Sequence, residues 1–551
     1  MIVVLIQTNA LAQDQVTVRV DAAQKIAPFK PIYRFFGYDE PNYTYTENGR
    51  KLIGELTALT NETVLFRTHF LLATGDGTAS LKWGSTNAYV EDATGRGMYD
   101  WTVVDRIFES YLQAHGKPFV EIGFMPEALS SRPEPYRSAW IPGGANEGYA
   151  AGWSHPPRDY AKWGEVVYRW AEHCAEKYGK QEAESWYWEV WNEPNIFYWQ
   201  GTQEEYFELY DYAVAAIKRA LPHARVGGPA STGPAGKQAG EFLKAFLNHC
   251  AAGSNYANGG KGAPLDFVSY HAKGSPHTID GHVRMSIARH LQDVDSGLGI
   301  LAGHPTFRNL PVILSESDPE GCAACSARIY PQNAYRNGPL YACYTAVAMK
   351  GILDIGAKDQ MNVEGMLTWA FEFEGQPYFD GLRTLATNGV DKPILNLFRM
   401  LGLMKGDRLN ASSDGAVPLD ELLADGVRKN PDIDVLAARD DHGVSIMIWN
   451  YHDDDIFGPA AAIVLSVQEL PVAQRVLMTH YRIDANHSNA YSIWKSMGAP
   501  QDPRPDQRQQ LEAAGQLQLL DSPNWLWTQS GTASIHFDLP RQGVSLIRLE
   551  W

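Results

Sequence analysis

Two glutamates, Glu193 and Glu316, stand where a carboxyl group can do chemistry rather than solvate a surface. Glu193 closes the stretch Trp186-Tyr-Trp-Glu-Val-Trp-Asn-Glu-Pro-Asn195. Its aromatic and β-branched residues spell a strand, and Pro194 ends that strand because it has no N–H to offer. Glu316 follows Pro311-Val-Ile-Leu-Ser315 in the same manner. Acids at the carboxyl ends of parallel barrel strands share one mouth. Two carboxyl groups facing each other across a pocket meet the requirement for glycosidic bond hydrolysis. One protonates the leaving oxygen, and the other attacks the anomeric carbon or activates water. A wall of Trp186, Trp188 and Trp191 is expected to raise the pKa of Glu193, because desolvation disfavours its charged form. That suits it to proton donation. The alternative for Glu193, a loop acid capping the next helix, leaves the aromatic strand before it without a purpose. Asp318 and Glu320 follow Glu316 closely and read as solvated loop acids.

Other polar residues fall at strand ends. Arg67 and His69 end the second strand, Tyr270 and His271 the sixth, and Trp369 the eighth, with Glu372 and Glu374 just beyond. Asn192 stands beside Glu193. The carboxylates and two histidines lie on separate strands without compact ligand spacing, so neither a metal nor a cofactor is expected.

These residues need a scaffold that brings distant strand ends together. Eight apolar runs read as strands: 33–37, 63–67, 118–124, 186–191, 225–228, 267–271, 312–315 and 365–370. Between them, 105–114, 160–178, 204–221, 241–251, 283–294 and 339–352 carry apolar residues at helical spacing. The pattern predicts an α/β chain, a (β/α)8 barrel over residues 33–402. Strand-like runs without long helices follow at 433–438, 443–449, 462–467, 475–483, 534–538 and 544–550, with one helix expected within 501–518. They predict an accessory antiparallel β-sandwich over 403–551. The alternating Val16-Thr-Val-Arg-Val20, within residues 13–32, has no barrel partner and is assigned to that sheet.

The 551 residues carry 47 Lys+Arg against 64 Asp+Glu, a net charge of −17, which argues against a nucleic-acid partner. No stretch is long and apolar enough to span a membrane. Residues 1–12, apolar and closing on Ala10-Leu-Ala12, resemble the end of a secretory signal peptide. Export to the periplasm or medium is therefore expected; an ordinary terminus would leave the chain cytoplasmic. Five cysteines make no disulfide framework, and Cys322-Ala-Ala-Cys325 reads as a local disulfide or two free thiols.

Several motifs together resemble glycoside hydrolase family 39, a retaining family of barrel enzymes that includes β-xylosidases and α-L-iduronidases. They are Phe66-Arg-Thr-His69, Tyr99-Asp-Trp101, Lys117-Pro-Phe-Val-Glu-Ile-Gly-Phe-Met-Pro126, Trp188 to Asn195, Asp266-Phe-Val-Ser-Tyr-His271 and Leu314-Ser-Glu316, with Asp391-Lys-Pro393 and Phe398 fitting a closing helix. The resemblance implies Glu193 as general acid/base and Glu316 as nucleophile. It implies Asn192 on the sugar 2-hydroxyl, His69 and His271 lining the first sugar site, Trp369 as its floor, and Glu374 and Glu372 on the distal hydroxyls. The expected activity is release of terminal β-D-xylosyl residues from oligosaccharides and aryl xylosides by double displacement. An α-L-arabinosidase is the alternative, an iduronidase-like enzyme is less favoured, and a non-catalytic sugar-binding protein is remote. Oligomeric state is left open. Trp199 is followed by Gln200 where xylosidases of the family often carry lysine. Glu372, Glu374 and Asp380, with Arg383 the only nearby base, argue for a neutral sugar. Phe197, Tyr198 and Tyr378 are expected to crowd C5 against hexosides.

Overall fold

The computed structural model describes residues 15–551 except 139, 142, 144–148 and 473; the expected leader over residues 1–12 lies outside these. Eight parallel strands close a barrel in chain order: Phe35–Tyr38, Leu65–Thr68, Lys117–Ile122, Tyr187–Val190, Arg225–Ser231, Phe267–Lys273, Val312–Asp318 and Val363–Trp369. Phe35, Leu65, Phe119, Tyr187, Phe267, Ile313 and Leu367 point inward and fill the lower barrel as one apolar layer. The fifth strand contributes Gly227 there, since a Cβ would come within 2.7 Å of the Phe267 ring.

The expected helices are present, with two differences. Glu47–Thr57 is a helix that the spacing did not predict, because glycines 49 and 54 dilute its pattern. Thr46 caps it by accepting from Gly49 N at 3.2 Å. Gly49 is required there, because a Cβ would collide with the Tyr43 carbonyl. The helix expected over 283–294 begins only at Ile287 and runs to Ala302. Ser286 takes a left-handed conformation, and His282–Arg284 pairs instead with His277–Ile279 as a hairpin.

The C-terminal strands form one ten-stranded sheet whose inward residues enclose a separate apolar core. Gln15–Pro28 lies between Asp407–Ser413, antiparallel, and Ala461–Gln468, parallel. The sheet is therefore not purely antiparallel. Helix Pro505–Gly515 falls inside the polar 501–518 segment. The barrel helix Pro339–Asp359 is buried along much of its length, because the sheet packs against it; Tyr344 meets Tyr451 edge-on at 6.1 Å.

Candidate active site

Strand parity decides what surrounds the acids. Side chains alternate across a strand, so Tyr187 and Glu189 of the fourth strand point into the barrel. Trp186 and Trp188 point out: Trp186 packs on Phe108 and Tyr178, and Trp188 on Trp170. Trp191 lies against Phe124 and Trp199. None of the three is on the cavity wall, which corrects the expected tryptophan wall around Glu193. Instead Glu193 sits one turn past the strand with φ +43°, its N–H donating to the Ala230 carbonyl at 2.9 Å.

His271 ties the two glutamates together. Its Nδ1 lies 2.8 Å from Glu193 Oε1 and 3.8 Å from Glu316 Oε2. Those two oxygens can be no further apart than the two legs laid end to end. Arg67 supports the group from below. Its guanidinium reaches Glu189 at 2.5 Å, Glu121 at 2.9 Å and Glu316 at 3.4 Å, and donates to Asn192 Oδ1 at 3.0 Å. Arg67, Glu121 and Glu189 are fully buried. Such a set persists only when the charges face one another.

Glu316 is held as an anion. Burial opposes its charge, but Lys273, His271, Arg67 and His69 outweigh that and draw its pKa well below the usual carboxylate range. Lys273 is the strongest of these, 2.5 Å from Glu316 Oε2 and 2.8 Å from Asp318 Oδ2. Removing Lys273 takes away the largest of these influences, so the Glu316 pKa rises and any activity that needs its anion narrows from the acid side. Lys273→Met is expected to move the acid limb of the kcat/KM profile to higher pH, and Lys273→Arg to move it less. An unmoved limb in Lys273→Met would count against this electrostatic role.

The acids open into a cavity of about 470 Å³. Glu193, Glu316, His69 and Trp369 line it, together with Phe197 and Tyr198. Asn192 and His271 stand behind the carboxylates, bonded to Arg67 and Glu193. Glu372 and Glu374 do not line the cavity, which corrects their expected place on the distal hydroxyls. Past Trp369 the chain leaves the barrel rim, bridging Phe371 to Thr384 and packing Phe373 on Tyr43. Glu372 accepts instead from Gly389 N, and burial pushes its pKa up to about 7. Tyr378 is likewise turned away, contacting Gln501 and Arg508 of the C-terminal region. Gln200, exposed, donates to the Phe197 carbonyl outside the cavity wall.

Several residues of the site escaped the sequence reading. Asp318 and Glu320 are not solvated loop acids: Asp318 accepts from Trp369 N at 3.0 Å, and Glu320 meets Arg383 at 2.6 Å and Arg336 at 2.7 Å. Glu121 and Glu189 did carry a signal, since an acid inside an apolar strand needs a buried partner. Asp39 and Lys82 line the cavity as an ion pair; Lys82 lies in an irregular segment with no pattern to mark it. Cys322 and Cys325 form a disulfide, and both face the cavity.

Residues 16–520 match the family model described as Glycosyl hydrolases family 39. Among curated relatives, a β-xylosidase of Geobacillus stearothermophilus is 27% identical over 476 residues, 83% of this chain and 82% of that protein. An α-L-iduronidase of Mus musculus is 22% identical over 579 residues, 98% of this chain and 82% of that protein. Among solved structures, a monomeric β-xylosidase from Caulobacter crescentus CB15 aligns with a TM-score of 0.75 at 23% identity, over 97% of this chain and 99% of that one. That last likeness shows the fold.

Proposed function

The chain belongs to glycosyl hydrolases family 39, and we propose that it is a retaining, exo-acting β-xylosidase with Glu316 as nucleophile and Glu193 as acid/base. It is a glycoside hydrolase. The observation that carries the finer reading is the His271 bridge. Retaining enzymes hold their carboxyl groups about 5–5.5 Å apart, inverting ones about 6.5–9.5 Å. One imidazole nitrogen beside an oxygen of each glutamate supports the shorter, retaining separation. An ionised Glu316 suits attack on the anomeric carbon, leaving Glu193 to protonate the leaving oxygen.

Exo action is supported by the small volume of the cavity, about 470 Å³. Glu372, Glu374 and Tyr378 lie off the cavity wall, and a neutral sugar is favoured by the cations instead. Each cation near the acids already faces a carboxylate: Lys82 faces Asp39, Lys273 faces Glu316 and Asp318, and Arg336 faces Glu320. A uronate would have to displace one of these. Crowding at C5 now falls to Phe197 and Tyr198. Export is supported by the Cys322–Cys325 disulfide, since disulfides persist in oxidising compartments.

The test compares kcat/KM on aryl β-xyloside, α-L-arabinoside, β-glucoside and α-L-iduronide, with the anomer of the first product read by NMR. The xyloside is expected to lead by about 10-fold or more over the glucoside, as one pocket misfit of about 1–3 kcal/mol allows. The first-formed xylose is expected as the β-anomer. An iduronide preference overturns the substrate reading, and an α-anomer overturns the mechanism.

A further inference from the structure

With Glu372 and Glu374 turned away, the far end of the cavity needs another partner for sugar hydroxyls. Asp39 and Lys82 stand there. Asp39 follows the first barrel strand, and Lys82 belongs to the irregular segment after the second. They are 3% and 7% exposed, yet both line the cavity. Lys82 Nζ donates to Asp39 Oδ2, and Trp369 Nε1 donates to Asp39 Oδ1 at 3.1 Å. The lysine backbone is pinned on both sides. Its N–H donates to Glu40 Oε1 at 2.7 Å, and Tyr149 OH donates to its carbonyl. Its φ of +54° lies in the left-handed region that a long side chain rarely adopts. A buried ion pair is no source of stability in itself, because desolvating both charges offsets most of the attraction. Placing one at a cavity wall, on strained backbone, is explained if its spare hydrogen-bonding capacity meets a ligand.

That capacity has a definite form. An ammonium offers three donors and a carboxylate only acceptors. Among the described residues Lys82 Nζ spends one donor, on Asp39. A donor beside an acceptor matches neighbouring sugar hydroxyls, each of which both donates and accepts. The position matches too. His69 Nε2 lies 3.8 Å from Glu316 Oε1 and 3.2 Å from Asp39 Oδ1. Glu316, His69, Asp39 and Lys82 are therefore linked by successive contacts, and all four line the pocket. A pyranose with its anomeric carbon over Glu316 lays its remote carbons toward the Asp39 end, above the Trp369 ring.

We propose that Asp39 and Lys82 grip the hydroxyls on the sugar carbons remote from the reacting one, and so form the recognition end of the glycone subsite. This rests on the reading of Glu316 as nucleophile of a glycosidase. The pair selects a terminal sugar whose remote hydroxyls are free, so it contributes to exo action as well as to sugar choice.

The experiment uses the full chain and the best of the four glycosides above as parent. Its 2-deoxy, 3-deoxy and 4-deoxy analogues are compared by kcat/KM in the wild type, Asp39→Asn, Lys82→Met and the double variant. The double variant leaves no unpaired charge, which guards against a fold lost to an uncompensated ion. The wild type is expected to prefer the parent over the 3-deoxy or 4-deoxy analogue by roughly 100-fold or more, because a site built to bind a hydroxyl rejects its absence strongly. In the variants that preference is expected to shrink to about 10-fold or less, while preference over the 2-deoxy analogue holds. If the variants slow every substrate equally and all preferences persist, the pair is structural and the proposal falls. A wild type that cleaves no glycoside sinks the proposed function instead, a result distinguishable from the first.

Discussion

Glu316→Ala abolishes turnover on every glycoside alike, with kcat falling by at least about 10⁴-fold, the scale seen when a covalent nucleophile is removed. On the proposed mechanism the substitution deletes the atom that forms the glycosyl–enzyme bond, so no leaving group, however reactive, bypasses it. It also leaves Lys273 and Arg67 without one of their carboxylates, at 2.5 Å and 3.4 Å in the intact site. Lys273 keeps Asp318, and Arg67 keeps Glu121 and Glu189, so the fold is expected to survive. Thermal unfolding followed by circular dichroism checks that point, and steady-state kinetics on an activated aryl xyloside and on xylobiose checks the loss. Comparable residual turnover on both substrates, above a tenth of wild type, would remove Glu316 from the nucleophile's role.

Glu193→Ala divides the same two substrates. Proton donation contributes roughly 10²–10⁴-fold where the leaving group is a poor one. Xylobiose, which releases a sugar alkoxide, is expected to lose activity on that scale. An activated aryl leaving group departs without protonation, so its first step suffers far less. Hydrolysis of the glycosyl enzyme then lacks its base, and the intermediate accumulates as an initial burst. Added azide needs no deprotonation and is expected to restore turnover, releasing a β-glycosyl azide. The proposed assignment follows the geometry: Glu193 has His271 at 2.8 Å, whereas Glu316 has Lys273 at 2.5 Å and Arg67 at 3.4 Å. Equal losses on xylobiose and the aryl xyloside, with no response to azide, would assign the acid elsewhere.

The barrel and its two glutamates were legible in the chain because both depend on local signals. Strand and helix periodicity survives in short windows, and the places of Glu193 and Glu316 near the carboxyl ends of their strands follow from Pro194 and from the apolar run 311–315. Eight such strands have few ways to close other than as a barrel. The first helix escaped because Gly49 answers to a contact with the Tyr43 carbonyl, a constraint from across a turn.

What surrounds the acids was decided in three dimensions. Period-two alternation turned Trp186 and Trp188 out of the barrel and Glu189 in, toward an arginine from another strand. The path beyond Trp369 carried Glu372 and Glu374 off the rim, although sequence distance alone left them beside it. Asp39, Lys82 and Lys273 are linked to the acids only through space: Lys82 pairs with a residue 43 positions away, and Lys273 reaches Glu316 across a second 43-residue separation. Local patterning determines which residues stand at strand ends, because propensity and turn chemistry act over a few residues. Which charges meet there depends on barrel closure and on loop paths, because ion pairing acts through distance and no nearby residue records it.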